Sequence, residues 1–241
     1  MRGLQTIVMI PTYNEAANIE PMLRRLLGLH ERLGCVVVDD DSPDETAASV
    51  REVQAQFPER IKLIVRKGGR QGRASAGILG LREAVALGPE YVAEIDADFS
   101  YDPDCILQFL EEIEDCDVVV GSRFVQGGDD SDRGFLRTRM SVLSSRMFQA
   151  ILGLDLQDVG SGFKLYRSEV LRSLPWSEFL SSGIAISMEE LFRIVKQGYR
   201  VKEVPISFVD RKLGRSKLRA SDFVEPLMIS VRLALTLGRA G

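Results

Sequence analysis

Short apolar runs alternate with segments of helical periodicity along the first half of the chain. The run at 6–10 is uninterrupted and ends at Pro11, which predicts a buried strand. From Ile19 to Leu27, apolar residues recur three and four positions apart, which predicts an amphipathic helix. Further strands are predicted at 35–38, 61–65 and 91–95, with helices between them. This β-α-β-α-β order indicates an α/β fold with a mostly parallel central sheet and helices on both faces.

The pattern is less regular in the second half of the chain. It predicts helices at 103–114 and 188–195, strands at 117–120 and 164–166, and a bent strand or strand pair at 199–209. Two more predicted helices carry broad apolar faces, one around Met140 to Ile151 and one from Ser221 to Leu235. Packing on the core and contact with a membrane surface are both compatible with these faces.

Length and charge limit the possible architectures and partners. A chain of 241 residues accommodates one large α/β domain with appendages, or at most two small domains. We favour one domain and assign residues 1–218 to it and 219–241 to the C-terminal amphipathic helix. The formal charge of −4 and the pI of about 5.3 provide no basic field, so nucleic acid is not an expected partner. We find neither a signal-peptide pattern nor an apolar stretch of transmembrane length. The expected location is therefore cytoplasmic, with peripheral contact at the cytoplasmic face of a membrane.

Histidine and cysteine usage excludes several kinds of catalytic site. The single histidine, His30, continues the apolar face of a predicted helix, so histidine-based triads and histidine-rich metal sites are not expected. The three cysteines lack metal-site spacing, which is consistent with a reducing compartment.

The strongest chemical signal follows the fourth predicted strand, where Asp96 and Asp98 are separated by one residue. On extended backbone these side chains would face the same way beyond the strand end. Two carboxylates there suit Mg²⁺ or Mn²⁺ carrying a diphosphate, because such a cation keeps coordination positions for phosphate oxygens. The alternative is that these acids only cap the helix that follows.

Other polar groups follow the first two strands, in segments 11–15 and 39–44. Ligands of parallel sheets bind beyond the carboxyl ends of the strands, so these segments predict a binding site for a base and ribose. Acids near residue 40 are equally compatible with a helix N-terminus. Cations for a phosphate occur in the loop 210–217, and Arg137 lies four residues before Ser141 on a predicted helix. The loop 126–134 is either a lid or an ordinary surface loop.

The order and spacing of these motifs carry a family resemblance. The matching segments are 11–15 (Pro-Thr-Tyr-Asn-Glu), 38–44, 96–98, 121–124, 161–163, 203–206 and 214–218. In these segments the chain resembles the polyprenol-phosphate mannose synthases, which are inverting family-two glycosyltransferases of the GT-A (Rossmann-like) fold. The resemblance implies transfer of a sugar, with mannose from GDP-mannose favoured, to a polyprenyl phosphate such as dolichyl phosphate.

The resemblance also implies roles for individual residues. Those implied for the nucleotide sugar are Pro11, Tyr13, Glu15, Asp40 and Asp96. Those implied for Mg²⁺ or Mn²⁺ are Asp96, Asp98 and Ser100. Those implied for the acceptor phosphate are Arg123, Arg137, Ser141, Arg211 and Lys217. Asp96, Asp98, Arg123, Asp158 and Glu189 are the implied catalytic residues.

Departures from the family pattern leave alternatives for donor and acceptor. The family commonly has Gly-Leu-Gly where this chain has Gly72-Arg73-Ala74, and histidine where it has Tyr101; some relatives bind metal through glutamine at the place of Ser100. A UDP-sugar donor, a saccharide acceptor and a non-catalytic nucleotide-sugar-binding protein are the alternatives. A phosphate acceptor needs no strong general base, because its second pKa of about 6 leaves it largely dianionic at neutral pH. A saccharide hydroxyl would need one, such as Asp158 or Glu189.

Overall fold

A computed structural model describes residues 1, 3–209 and 221–240, without the side chains of residues 133, 135–137 and 221–223. Seven strands form one sheet: β1 (Thr6–Thr12), β2 (Leu33–Asp39), β3 (Ile61–Val65), β4 (Tyr91–Glu94), β5 (Val118–Ser122), β6 (Lys164–Arg167) and β7 (Val201–Pro205). The α-helices are α1 (Ala16–Leu29), α2 (Thr46–Gln56), α3 (Arg73–Ala86), α4 (Cys105–Glu112), α5 (Phe135–Leu152), α6 (Ser168–Ser173), α7 (Ile186–Lys196) and α8 (Ser221–Leu237).

The sheet has the strand order β3-β2-β1-β4-β6-β5-β7, which confirms the predicted mostly parallel sheet. Strand β6 is the exception, because it runs antiparallel to both β4 and β5. Its first residue, Lys164, is therefore paired with the last residue of β4, Glu94. A lysine from a distant part of the chain thus lies at the carboxyl end of β4.

Several predicted strand boundaries were wrong. Strand β1 continues through Pro11, which pairs with Val38 of β2 in parallel register. The proline is tolerated because β4 pairs with β1 only as far as Met9, so no β4 carbonyl lacks a donor at Pro11. Strand β4 ends at Glu94 rather than at residue 95, and the predicted strand at 199–209 is regular only from Val201 to Pro205.

Alternate side chains of the central strands pack into two cores, one on each face of the sheet. On β1, Val8 and Ile10 pack with α1, α2 and α4, whereas Ile7 and Met9 pack with α3, α6, α7 and α8. All four side chains are fully buried. This alternation explains the apolar sequence of β1, since a strand covered on both faces has no solvent-facing side.

Helix α8 is amphipathic, as predicted, and one side of it packs on the protein. Ile229 and Leu233 are buried against the core, and α8 also contacts α5 and α7. Several other apolar side chains of α8 are exposed, and so are several of α5: Val224, Leu227, Met228, Val231 and Leu235 on α8, and Met140, Leu143 and Met147 on α5. Within the described ranges, no helix has both the length and the hydropathy needed to cross a bilayer.

Candidate functional site

The candidate site lies where β1 and β4 end side by side. Strand β2 flanks β1 on one side and β4 flanks it on the other, so the connections leave this edge in opposite directions and open a crevice. The predicted segments 11–15, 39–44 and 96–98 lie at or just beyond the ends of strands at this edge. The structure therefore brings together the residues predicted to bind the donor and the metal.

Asp96 follows the end of β4 and Asp98 lies in the tight turn after it, so the two acids do not share one extended strand as the sequence prediction assumed. The chain leaves the sheet after the hydrogen bond from the Ile95 N–H to the Met9 carbonyl (3.2 Å), and Phe99 adopts a positive φ of 56°. The Asp98 carboxylate accepts the Ser100 N–H at 3.1 Å, which fixes the turn. Asp98 is buried, whereas about a third of the Asp96 side chain is exposed (35%).

The polar groups of this turn fit a hard divalent cation. This segment carries two carboxylates and a hydroxyl, and the buried Ser100 Oγ makes no hydrogen bond within the described part of the chain. The described residues contain no group of three metal-binding side chains, so a cation here would need further ligands from a diphosphate and water. This partial donor set is what a metal that bridges protein and substrate requires.

Asp40 ties the end of β2 to the loop before α3. Its buried carboxylate pairs with the guanidinium of Arg66, whose Nε lies 2.6 Å from Oδ1, and it accepts the Gln71 N–H at 2.9 Å. Across the crevice, the Arg70 guanidinium lies 5.8 Å from the centre of the Tyr13 ring. Asp40 thus shapes the wall of the predicted nucleotide site through Arg66, a residue that the sequence analysis missed.

The segment 11–15 is held against the end of β2 by a polar network. Asp39 accepts the hydroxyls of Thr12 (2.9 Å) and Ser42 (2.6 Å), and the Ser42 hydroxyl accepts the Asn14 N–H (3.0 Å). The following Glu15 accepts a hydrogen bond from the Asn18 side chain at 2.8 Å. Pro11, Tyr13 and Glu15 are all half-buried along this wall.

The alternative role of the acids near residue 40 as helix caps applies to Asp44. Its carboxylate accepts the Ala16 N–H at the start of α1 (3.0 Å) and the Thr46 N–H at the start of α2 (3.1 Å). Burial alone would raise the pKa of Asp44, but the hydrogen bonds from Thr46 and Ala16 outweigh it and lower the pKa. Asp39 and Asp40, by contrast, bind the end of β1 and the neighbouring loops.

A buried ion-pair network adjoins Asp96, and the sequence analysis did not identify it. Arg73 Nη2 lies 3.2 Å from Asp96 Oδ1, and Arg73 Nη1 lies 2.8 Å from Glu94 Oε1. Lys164 Nζ lies 3.5 Å from Glu94 Oε2 and 2.8 Å from Glu190 Oε2. The Tyr166 hydroxyl lies between the two glutamates, at 3.4 and 3.1 Å.

The charges of this network shift one another's pKa values. Burial raises the pKa of Glu190, and the Glu94 charge raises it further. Burial would also raise the pKa of Glu94, but Lys164 and Arg73 outweigh it and lower the pKa. A sequence signal for the network exists, because Glu94 interrupts an otherwise apolar strand and stands two residues before Asp96. Acids in buried strands are rare unless they are paired.

Arg123 and Asp158, two predicted catalytic residues, form a buried bidentate ion pair. Arg123 Nε and Nη2 lie 2.7 and 2.8 Å from the Asp158 carboxylate, which also accepts the Arg123 N–H at 3.1 Å. The guanidinium lies 4.8 Å from the centre of the Phe124 ring. Burial would lower the pKa of Arg123, but the hydrogen bonds to Asp158 outweigh it and raise the pKa. The pair anchors the end of β5 to the turn at 158–162.

Glu189, the remaining predicted catalytic acid, is fully buried and binds a loop. Its carboxylate accepts the N–H groups of Leu180 and Ser181, the Ser181 hydroxyl (2.6 Å) and Arg193 Nε (3.0 Å). The loop then passes over the start of α3, where a Cβ at Gly72 would lie 2.9 Å from the Ser182 carbonyl. Glu189 thus fixes the loop that packs on the start of α3.

The residues predicted to bind the acceptor phosphate are only partly described. Helix α5 begins at Phe135, so Arg137 and Ser141 share a helix as predicted, and Ser141 is half-buried. The side chain of Arg137, and Arg211 and Lys217 entirely, lie outside the described residues.

Comparisons with known proteins identify the family and the fold of this chain. The family model described as "Glycosyl transferase family 2" matches residues 7–174. The polyprenol monophosphomannose synthase of Mycolicibacterium smegmatis is 31% identical over 92% of this chain and 84% of its own length. The undecaprenyl-phosphate mannosyltransferase of Micrococcus luteus is 33% identical over 89% of this chain and 88% of its own length. A mannosyltransferase from Pyrobaculum calidifontis, solved with GDP-Man and Mn²⁺, has a TM-score of 0.59 and 20% identity over 96% of this chain and 70% of its own.

Proposed function

This chain belongs to glycosyl transferase family 2 and is a glycosyltransferase of the GT-A fold, and we propose that it transfers mannose from GDP-mannose to a polyprenyl phosphate. The observation that carries the proposal is the pair Asp96 and Asp98 at the end of β4, in the crevice next to β1. Two relatives that match this chain over most of their own length are named for mannosyl transfer to polyprenyl phosphates.

In the proposed reaction, an acceptor phosphate oxygen attacks the anomeric carbon as the bond to the diphosphate breaks. A single displacement of this kind inverts the anomeric configuration. Asp96, Asp98 and the hydroxyl of Ser100 would hold Mg²⁺ or Mn²⁺, which when bound neutralises the leaving diphosphate. Pro11, Tyr13, Glu15 and Asp40 would orient the nucleotide. The acceptor phosphate would be bound by Ser141 with Arg137, Arg211 and Lys217.

The buried ion pairs support a phosphate acceptor over a saccharide hydroxyl. A hydroxyl acceptor requires a carboxylate base within reach of its proton. Asp158 is fully buried and engaged by Arg123, and Glu189 is fully buried and engaged by four donors. A phosphate dianion needs neither acid as a base. We propose that Arg123 and Asp158 position the acceptor side of the crevice through β5.

A ligand that binds only the native state raises the melting temperature, which gives a direct test of the donor. With Mn²⁺ present, GDP-mannose and GDP are expected to raise it more than UDP-glucose and UDP do. Product analysis with undecaprenyl phosphate should then show a mannosyl phospholipid with inverted configuration. A shift confined to uridine ligands would contradict the GDP-mannose donor, and no shift with any nucleotide would contradict catalysis.

We also propose that the exposed apolar side chains of α5 and α8 contact the membrane that holds the acceptor. Leu235 is 81% exposed, and burying one leucine is worth about 1.5–3 kcal/mol. Leu235→Asp should therefore weaken co-sedimentation with vesicles containing anionic lipid by about tenfold or more. Ala55→Asp, which adds the same charge at an exposed position of α2, is the control and should leave binding unchanged. Equal binding of both variants would contradict the assignment.

A further inference from the structure

The carboxylate of Asp96 is partly exposed at the crevice and is also paired with the guanidinium of Arg73. Arg73 Nη2 lies 3.2 Å from Asp96 Oδ1, while the other oxygen, Oδ2, would lie 3.3 Å from a Cβ at Gly162. The absence of a side chain at Gly162 lets the turn at 158–162 approach both Asp96 and Arg73. One oxygen of a proposed metal ligand is thus already engaged by a guanidinium.

Arg73 itself is held in place by the buried carboxylate of Glu94. Its Nη1 lies 2.8 Å from Glu94 Oε1, and Glu94 is fully buried beside Lys164. Lys164 is in turn paired with Glu190 at 2.8 Å, also with no exposure. The guanidinium is therefore not free to move, since a displacement would remove one of the cations paired with the buried Glu94 carboxylate.

The guanidinium of Arg73 is permanently charged, as arginine side chains in proteins are. Burial would lower the pKa of Arg73, but Asp96 and Glu94 outweigh it and raise the pKa above its ordinary value. The side chain is nevertheless one-fifth exposed (20%), on the edge of the sheet where Asp96 lies. It thus offers positive charge both to Asp96 and to an anion placed next to Asp96.

We propose that Arg73 is a positioning residue that weakens metal binding to Asp96 in the absence of the donor and attracts the diphosphate of the donor. The inference rests on the proposed metal and donor site. A guanidinium beside a carboxylate repels a divalent cation and competes for one carboxylate oxygen. An incoming diphosphate brings negative charge that offsets this repulsion and accepts charge-assisted hydrogen bonds from the same guanidinium. Metal and nucleotide would therefore bind together more readily than either alone.

The test uses the full chain and binding measurements in place of turnover. Arg73→Gln removes the charge, keeps a hydrogen-bond donor for Glu94, and leaves Glu94 paired with Lys164. Without nucleotide, the variant should bind Mn²⁺ about three- to tenfold more tightly than wild type, by electron paramagnetic resonance titration. Without metal, it should bind GDP about three- to tenfold more weakly, by calorimetry. Arg73→Lys, which retains the charge, should stay near wild type in both.

The opposite signs separate this role from general damage to the site. Loss of structure would weaken the binding of both Mn²⁺ and GDP. Weaker binding of both ligands, or an unchanged Mn²⁺ affinity, would overturn the inference. Arg167→Gln is the matched control, because Arg167 is also half-buried, lies on β6 at the opposite edge, and donates to the carbonyls of Cys116 and Ile113. Asp98→Asn tests the underlying site: if it leaves Mn²⁺ affinity unchanged in wild-type background, the metal site itself is wrong.

Discussion

Asp98→Asn is expected to lower turnover by about 10²–10³-fold or more while the fold remains intact. Asparagine has the same shape as aspartate, and its side-chain oxygen retains an acceptor for the Ser100 N–H, which Asp98 accepts at 3.1 Å. The substitution removes the negative charge that a divalent cation needs for tight binding. Formation of the proposed mannosyl phospholipid, at a Mn²⁺ concentration that just saturates the wild type, measures the loss, and a melting curve verifies the fold.

The matched control for Asp98→Asn is Asp115→Asn. Asp115 is an exposed acid that follows α4 and precedes β5, so it lies away from the carboxyl ends of the strands. Its substitution should leave turnover within about twofold of wild type, in line with other surface changes. Turnover of Asp98→Asn equal to that of Asp115→Asn would contradict the metal assignment.

Lys164→Met is expected to destabilise the protein by about 3–5 kcal/mol. Lys164 is fully buried between Glu94 and Glu190, and Glu190 Oε1 already has no hydrogen-bond partner within the described residues. Methionine fills a similar volume but leaves two buried carboxylates without their shared cation. For a chain of this length the loss corresponds to a melting temperature lower by roughly 6–20 °C.

Two further variants show whether the effect of Lys164→Met is electrostatic. Lys62→Met removes a lysine paired at 2.7 Å with Glu83, but both side chains are 37% exposed, so the loss should be about 0–1 kcal/mol. Adding Glu190→Gln to Lys164→Met should recover part of the stability, because one buried charge is then removed. A Lys164→Met protein as stable as Lys62→Met would contradict a buried ion network.

The two largest effects concern neighbouring parts of the same edge. Asp98 would act through a bound cation, whereas Lys164 acts through Glu94, which fixes Arg73 beside Asp96. The expected outcomes therefore differ in kind. Asp98→Asn should lower turnover and leave stability unchanged, whereas Lys164→Met should lower stability first.

Local sequence patterns were sufficient for the strands, the parallel half of the sheet and the carboxylate pair. The apolar runs at β1 to β4 need burial on both faces, and only a parallel sheet with helices on either side provides it. Since the carboxyl ends of parallel strands share one edge, the positions of Asp40, Asp96 and Asp98 on that edge followed directly. The amphipathic helix α8 was predictable for the same reason, because its periodicity is a local property.

Tertiary structure alone decided which charged groups meet. The antiparallel insertion of β6 between β4 and β5 places Lys164 next to Glu94, and no local pattern specifies that pairing. The pairs Arg73–Asp96 and Arg123–Asp158 likewise join segments that are separate in sequence. Periodicity predicts which face of a helix or strand is buried, because local backbone geometry sets the direction of each side chain. The partner of a buried charge depends on how distant segments pack, so the ion network around Asp96 emerged only with the fold.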